Sequence, residues 1–178
     1  MTLSLIKTLN SLVLEHICAP WRSEYFGKKE QGCVFCNVVN HPERDAETGV
    51  LFRAKRCFGI MNLYPYTPGH FMVIPYVHTD NIESLDEQTW SEMSAYVREG
   101  VKILKRELNA AGVNIGMNLG KAGGAGIAEH VHYHLVPRWS GDTNFITSIA
   151  EVRVNGVPFT PLYEKLKAAF ADVCFNER

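Results

Sequence analysis

Residues 129–139 read EHVHYHLVPRW, with His130, His132 and His134 at alternate positions and Val131, Tyr133 and Leu135 among them. Side chains alternate faces along a β-strand, so this spacing predicts a strand with imidazoles on one side and apolar groups on the other. Next-but-one residues of a strand stand roughly 6.5–7 Å apart, so the imidazoles form a row. Such a row suits two chemistries. One is metal binding through neutral imidazole nitrogens. The other is attack on phosphorus by a neutral imidazole, with its neighbours donating hydrogen bonds to the phosphoryl oxygens.

The stretch just before the row favours the second. LGKAGGAGIAE, residues 119–129, carries Gly120, Gly123, Gly124 and Gly126. Glycines let backbone N–H groups approach an anion closely. The loop is not a P-loop, because its Gly-Lys lacks both the earlier glycine and the following Ser or Thr. Nor is it the glycine fingerprint of a dinucleotide-binding βαβ unit.

Working outward, VNIGMN (113–118) alternates as a second strand, with Val113, Ile115 and Met117 on one face. HFMVIP (70–75) is an apolar run of buried-strand length, stopped by Pro75. VLFRA and CFGIMN, within residues 50–62, form two more strands, and YPYTPG is a turn. Ser84 and Glu87 have capping-box spacing. Trp90, Met93, Val97, Val101, Leu104, Leu108 and Ala111 then recur at helical intervals, with Gly112 as the C-cap. A last helix is expected over residues 161–173, and an amphipathic N-terminal one with Leu5, Leu9, Leu12 and Val13 on one face. Mixed order and a long hairpin predict an α+β fold with an antiparallel sheet. We divide the chain into an N-terminal helical extension and connector (1–30), a central domain (31–145) and a C-terminal extension with a helix (146–178).

Composition restricts partners and location. The 178 residues are 46% hydrophobic and 21% charged, with a formal net charge of −1. That balance gives no electrostatic case for nucleic acid or an anionic membrane. No apolar run reaches the ~18 residues of a membrane span, and Lys7, Asn10 and Glu15 interrupt the N-terminal apolar stretch. A cytoplasmic location is expected. Five cysteines, an odd number, fit reduced thiols or a metal site better than a disulfide framework. Cys33 and Cys36 have C-x-x-C spacing, which alone leaves zinc, buried thiols and a redox pair all open. Cys18, Cys57 and Cys174 form no pattern.

The His-apolar-His-apolar-His signature resembles that of the histidine triad (HIT) nucleotidyl hydrolases and transferases. CVFC at 33–36, the Pro68-Gly69-His70 motif, VIP with His78 after it, Asn118 and the PRW of 137–139 extend the likeness over residues 33–139. APWRSEY (19–25) and RWSGDTNF (138–145) are similar to the bacterial diadenosine tetraphosphate phosphorylase branch. The resemblance implies that His132 attacks the α-phosphorus of an adenine nucleotide and forms a nucleotidyl-histidine. Water or inorganic phosphate, as co-substrate, then releases a nucleoside monophosphate or diphosphate. It places His134 and His70 beside the phosphate as proton or hydrogen-bond donors. Asn118, Gly124 and Gly126 would meet the phosphates, and Asn62 the ribose. Phe35, Phe58 and Ile60 would wall the base, and Trp139 and Asp142 would contact substrate or close the site. It also implies a structural zinc ion on Cys33, Cys36, His78 and His130, and a homodimer.

Two departures bear on the reaction. Many members carry an acid where this chain has Asn62, but an amide still bonds ribose hydroxyls. Hydrolases of the family often carry Gln or Ser shortly before the first histidine, whereas GGAGIAE has neither. That leaves room for a second phosphate and is consistent with phosphorolysis, and diadenosine polyphosphate phosphorylase is the leading expectation. The competing expectations are a nucleoside phosphoramidate hydrolase and a non-enzymatic nucleotide-binding scaffold.

Overall fold

A computed structural model describes residues 32–144, 149, 156–173 and 175, so the expected N-terminal helix lies outside the described residues. The described chain begins with helix α1 (Val34–Asn40), a 3-10 turn at Pro42–Arg44 and the short α2 (Asp45–Thr48). Strands β1 (Val50–Arg53), β2 (Cys57–Met61) and β3 (Phe71–Pro75) follow, then the long helix α3 (Glu87–Leu108). β4 (Gly112–Gly116), β5 (Tyr133–Arg138) and helix α4 (Phe159–Phe170) complete it. The five strands form one antiparallel sheet in the order β1-β2-β3-β5-β4. This is the expected α+β architecture.

Period-2 alternation divides the sheet between two cores. Phe71, Val73 and Leu135 point towards α3 and α4, joining Met93, Val97, Leu104, Leu162, Leu166 and Phe170. Phe58, Ile60, Met72 and Ile74 point the other way, onto Phe35 and Val38 of α1. Burying a side chain of this kind contributes roughly 1.5–3 kcal/mol. Gly100 lets α3 lie close to the sheet: a Cβ there would stand 2.6 Å from the Phe71 ring and 2.9 Å from Leu135 Cδ2.

Several boundaries differ from the sequence expectation. The α3 N-cap is Asp86, not Ser84: its carboxylate accepts from Thr89 N at 2.9 Å and from Thr89 Oγ1 at 2.6 Å. Ser84 ends a 3-10 turn instead and donates its hydroxyl to Asn81 O. Asn109, at φ 51°, ends the helix in the left-handed conformation that Asn tolerates, and Gly112 opens β4. Ala111 therefore falls outside the helix and is exposed, while Tyr96 and Ile103 join its buried face. Ile115, expected beside Val113 and Met117, is 47% exposed on the edge strand β4. The last helix starts at Phe159 and ends at Phe170, earlier than the expected 161–173. β5 begins at Tyr133, so His130 and His132 precede the ladder. Between them the Val131 N–H donates to Thr79 O at 2.8 Å. Among the described residues no helix is long and apolar enough to cross a membrane.

Candidate active site and metal centre

The segment entering β5 does not aim its three histidines at one place. His130 is fully buried, and its Nε2–H donates to Pro75 O at 2.9 Å. That bond leaves Nδ1 unprotonated, 3.3 Å from Cys33 Sγ and 3.9 Å from Cys36 Sγ. Cys33 caps α1 and Cys36 lies in its first turn, so C-x-x-C spacing brings both sulfurs to one helix end. His78, just past β3, places Nδ1 3.3 Å from Cys36 Sγ. The four ligand atoms of Cys33, Cys36, His78 and His130 lie within 4.8 Å of one another. Tetrahedral zinc with 2.0–2.3 Å bonds needs ligand separations of roughly 3.3–3.8 Å, so the cluster fits with small adjustment. Its carbonyl-anchored histidine is the usual outer support of a metal ligand. Burial, and then Cys33 beside it, raise the Cys36 thiol, a penalty that a bound cation reverses.

His132 holds the opposite nitrogen. Its Nδ1–H donates to His130 O at 2.8 Å, which frees Nε2 as a lone pair. The ring packs edge-on to Phe35 at 5.1 Å and beside His134 at 4.8 Å. His70, from the end of the β2–β3 turn, is fully buried. Its Nδ1 accepts from Tyr66 N at 3.2 Å and faces Asn62 Nδ2 at 3.3 Å. Both neighbours are donors, so His70 carries its proton on Nε2 and donates to His134 Nδ1 at 2.9 Å. His134 must then carry its own proton on Nε2. The result is one imidazole with a free lone pair and one with a free N–H, side by side. Burial, reinforced by the charges of His134 and His132, pushes the His70 pKa down to about 3. Burial, then His132, pushes His134 down to about 4, and burial also lowers His132. All three are neutral at pH 7.

His132 and His134 open into a cleft of about 190 Å³. Val34, Phe35, Ile60, Met72 and Ile127 make an apolar wall, and Asn62, Asn118, Gly124 and Gly126 also line it. Asn62 Oδ1 is occupied, accepting from Tyr64 N at 2.9 Å, and one amide N–H faces His70 Nδ1, so the second amide N–H is the part left for a ligand. In the glycine-rich loop, the Gly124 N–H is spent on Lys121 O at 3.0 Å, and Ala125 N–H on Gly120 O at 3.2 Å. Gly126 N–H has no backbone partner among the described residues. Gly123 packs against Leu119 O too closely for any Cβ.

Four expected site residues lie elsewhere. His70, expected beside the phosphate, is fully buried, does not line the cleft and spends its Nε2–H on His134 Nδ1, so it can act only through that ring. Phe58 shares the face of Ile60 but stacks on Tyr76 at 5.7 Å, away from the cleft. Trp139 does not line the cleft; its indole N–H donates to Leu108 O at 3.0 Å, at the end of α3. Asp142 forms a two-point ion pair with Arg138, at 2.5 and 2.8 Å, which holds its carboxyl well below the ordinary range. Val34, Met72, Ile127, Tyr64 and Tyr66 were not anticipated. Tyr64 and Tyr66 sit in the YPYTPGH stretch, where proximity to His70 was the available signal.

The profile of the HIT domain matches residues 43–141. The chain belongs to the HIT family. It is 42% identical over 110 residues to "AP-4-A phosphorylase" of Mycobacterium tuberculosis, covering 62% of this HIT chain and 56% of that protein. The chain thus spans about half the length of that relative. It is 30% identical over 93 residues to a Schizosaccharomyces pombe "Bis(5'-nucleosyl)-tetraphosphatase [asymmetrical]", covering 52% of this chain and 50% of the yeast protein. A zinc-bound histidine triad protein from Mycobacterium smegmatis superposes with a TM-score of 0.65 at 30% identity, over 79% of this chain and 94% of the other.

Proposed function

We propose that this HIT protein transfers nucleotidyl groups through a covalent intermediate on His132, and that its reaction is phosphorolysis of diadenosine polyphosphates. The observation that carries this is the paired tautomers, a lone pair on His132 Nε2 beside an N–H on His134 Nε2. A neutral lone pair is what attacks phosphorus, and a neighbouring N–H stabilises the charge developing on phosphoryl oxygens. In the first step the Nε2–P bond forms, the P–O bond to the leaving polyphosphate breaks, and the leaving group departs as ATP from a tetraphosphate. In the second, a phosphate oxygen attacks the α-phosphorus, the N–P bond breaks, and ADP and free His132 result. The apolar wall at Phe35 and Ile60 receives adenine, Asn62 the ribose, and Asn118 with the Gly126 amide the phosphates.

Support for phosphorolysis comes from the likeness to the mycobacterial phosphorylase and from a loop wall with no side-chain amide or hydroxyl between Asn118 and Glu129. We assign zinc to Cys33, Cys36, His78 and His130 as a structural ion that ties α1 to the segment carrying His132. We also propose a homodimer paired through β4, an edge strand with Asn114, Ile115 and Gly116 exposed.

The test is a product assay on diadenosine tetraphosphate with and without inorganic phosphate. ADP plus ATP formed only with phosphate is the expected result. AMP formed without phosphate makes the protein a hydrolase of the same chemistry. Turnover of adenosine phosphoramidate alone would replace the proposed substrate class.

A further inference from the structure

A dinucleoside polyphosphate brings several negative charges to a cleft that has none to answer them. Among the described residues, no Lys, Arg, Asp or Glu lines it. Its imidazoles, the buried His132 and the half-buried His134, are hydrogen-bonded as neutral rings, so they offer an N–H dipole at the α-phosphorus and no net charge beyond it. Most arginines around the fold are committed: Arg53 pairs with Asp45, Arg138 with Asp142 and Arg56 with Asp86.

The glycine-rich loop holds an uncommitted cation. Between Met117 and His132 the chain carries a single Lys or Arg, Lys121. It is exposed and has no ion pair or side-chain hydrogen bond among the described residues. Asn118 and Gly124, three residues to either side of it, both line the cleft. The tip between them is a closed turn. Gly124 N–H bonds to Lys121 O at 3.0 Å, Ala125 N–H bonds to Gly120 O at 3.2 Å, and Gly120 and Gly124 take φ of +66° and +87°. Lys121 is therefore fixed at the lip by its backbone, while its four-carbon stem remains free to follow a charge.

We propose that Lys121 is the contact for the phosphates beyond the α-position, and so selects substrates by the length of the polyphosphate that leaves. This assignment deepens the nucleotidyl-transfer reading and rests on it. Lys121 acts on binding and orientation and takes no part in making or breaking a bond.

The test compares Lys121→Gln and Lys121→Arg with the unaltered protein on dinucleoside tri-, tetra- and pentaphosphates and on adenosine 5′-phosphoramidate. Losing one exposed charge contact raises KM for the tetraphosphate about fivefold. The rise grows with phosphate number, is smallest for the phosphoramidate, and shrinks as salt is added. Lys121→Arg recovers most of the loss, and kcat moves by less than about twofold in this KM-type effect. An equal rise for all substrates, or no rise, overturns the assignment. Equilibrium titration with AMP, ADP and ATP separates this outcome from failure of the reaction itself, because it needs no turnover. Lys121→Gln should weaken ATP more than AMP, and equal weakening of the two would reject Lys121 whatever the chain catalyses.

Discussion

His130 and His132 are two residues apart, both buried, just ahead of β5, and they present opposite nitrogens. His130 spends Nε2 on Pro75 O and turns Nδ1 to the cysteines; His132 spends Nδ1 on the His130 carbonyl and leaves Nε2 for the cleft. Alternation brought them into register, but the carbonyl that each one meets decides its chemistry. The proposed metal centre and the proposed nucleophile are thus joined by one backbone group: the carbonyl that orients His132 belongs to His130, a member of the Cys/His cluster.

The largest effect expected on this comparison is at its reactive end. His132→Ala should lower turnover by about four orders of magnitude or more, as removal of a nucleophile does. The adduct between nucleotide and protein, seen by mass spectrometry after a quench, should vanish while AMP still binds. An adduct that persists would move the nucleophile elsewhere. His130→Ala breaks the other end. It should abolish metal binding and lower stability by about 3–4 kcal/mol at metal concentrations ~1,000 times Kd, read from urea midpoints. Chelator should lower the unaltered protein similarly and leave the variant unchanged. Because alanine keeps the carbonyl that orients His132, turnover should fall only about tenfold, the size of an outer-sphere loss. A loss as deep as that of His132→Ala would refute this division of labour.

The two ends also respond to acid in distinguishable ways. His70 and His134 have folded pKa values of about 3 and about 4, both below the ordinary 6.5. Between pH 6.5 and about 4 the unfolded chain therefore binds protons that the folded chain refuses. Their contribution to stability is fully present above pH 6.5 and is lost as pH falls. Urea midpoints measured in chelator should decline over that window, and His70→Asn should remove about half the slope. Without chelator the decline should be steeper, as protons also compete for the metal ligands.

Much of this arrangement was legible in the sequence, for physical reasons that also mark where legibility stopped. Period-2 patterns gave the strand faces, whereas C-x-x-C alone left several roles open, and only the family resemblance named His78 and His130 as the partners that the fold brings beside Cys33 and Cys36. What alternation cannot report is position along a face. Phe58 and Ile60 share one, but only Ile60 reaches the cleft, because Tyr76 covers Phe58. Nor can it report where a ladder begins: the row was read as one strand, yet β5 starts at Tyr133 and lets His130 turn away. Met72 was hidden for a related reason. Its place in the cleft depends on pairing opposite His134, a register set by distant strands. Trp139 carried an aromatic signal that the end of α3 absorbed.

The smallest effect tests the residue that touches both ends. Phe35 lies between the two cysteines, edge-on to His130 at 5.4 Å and to His132 at 5.1 Å, and its ring walls the cleft. Leucine preserves most of its volume, so Phe35→Leu should cost about 1 kcal/mol or slightly more in stability. Losing the aromatic face should raise KM for an adenine nucleotide about threefold, since an aromatic contact adds ~0.5–1.5 kcal/mol beyond its area. Metal stoichiometry should not change, because neither thiol is altered. Chelation of the unaltered protein should raise KM in the same direction, since Cys33 and Cys36 hold the helix turn that carries the ring. If chelation leaves KM untouched while Phe35→Leu raises it, the ring is held by its own packing against the sheet. The metal would then support His130 alone.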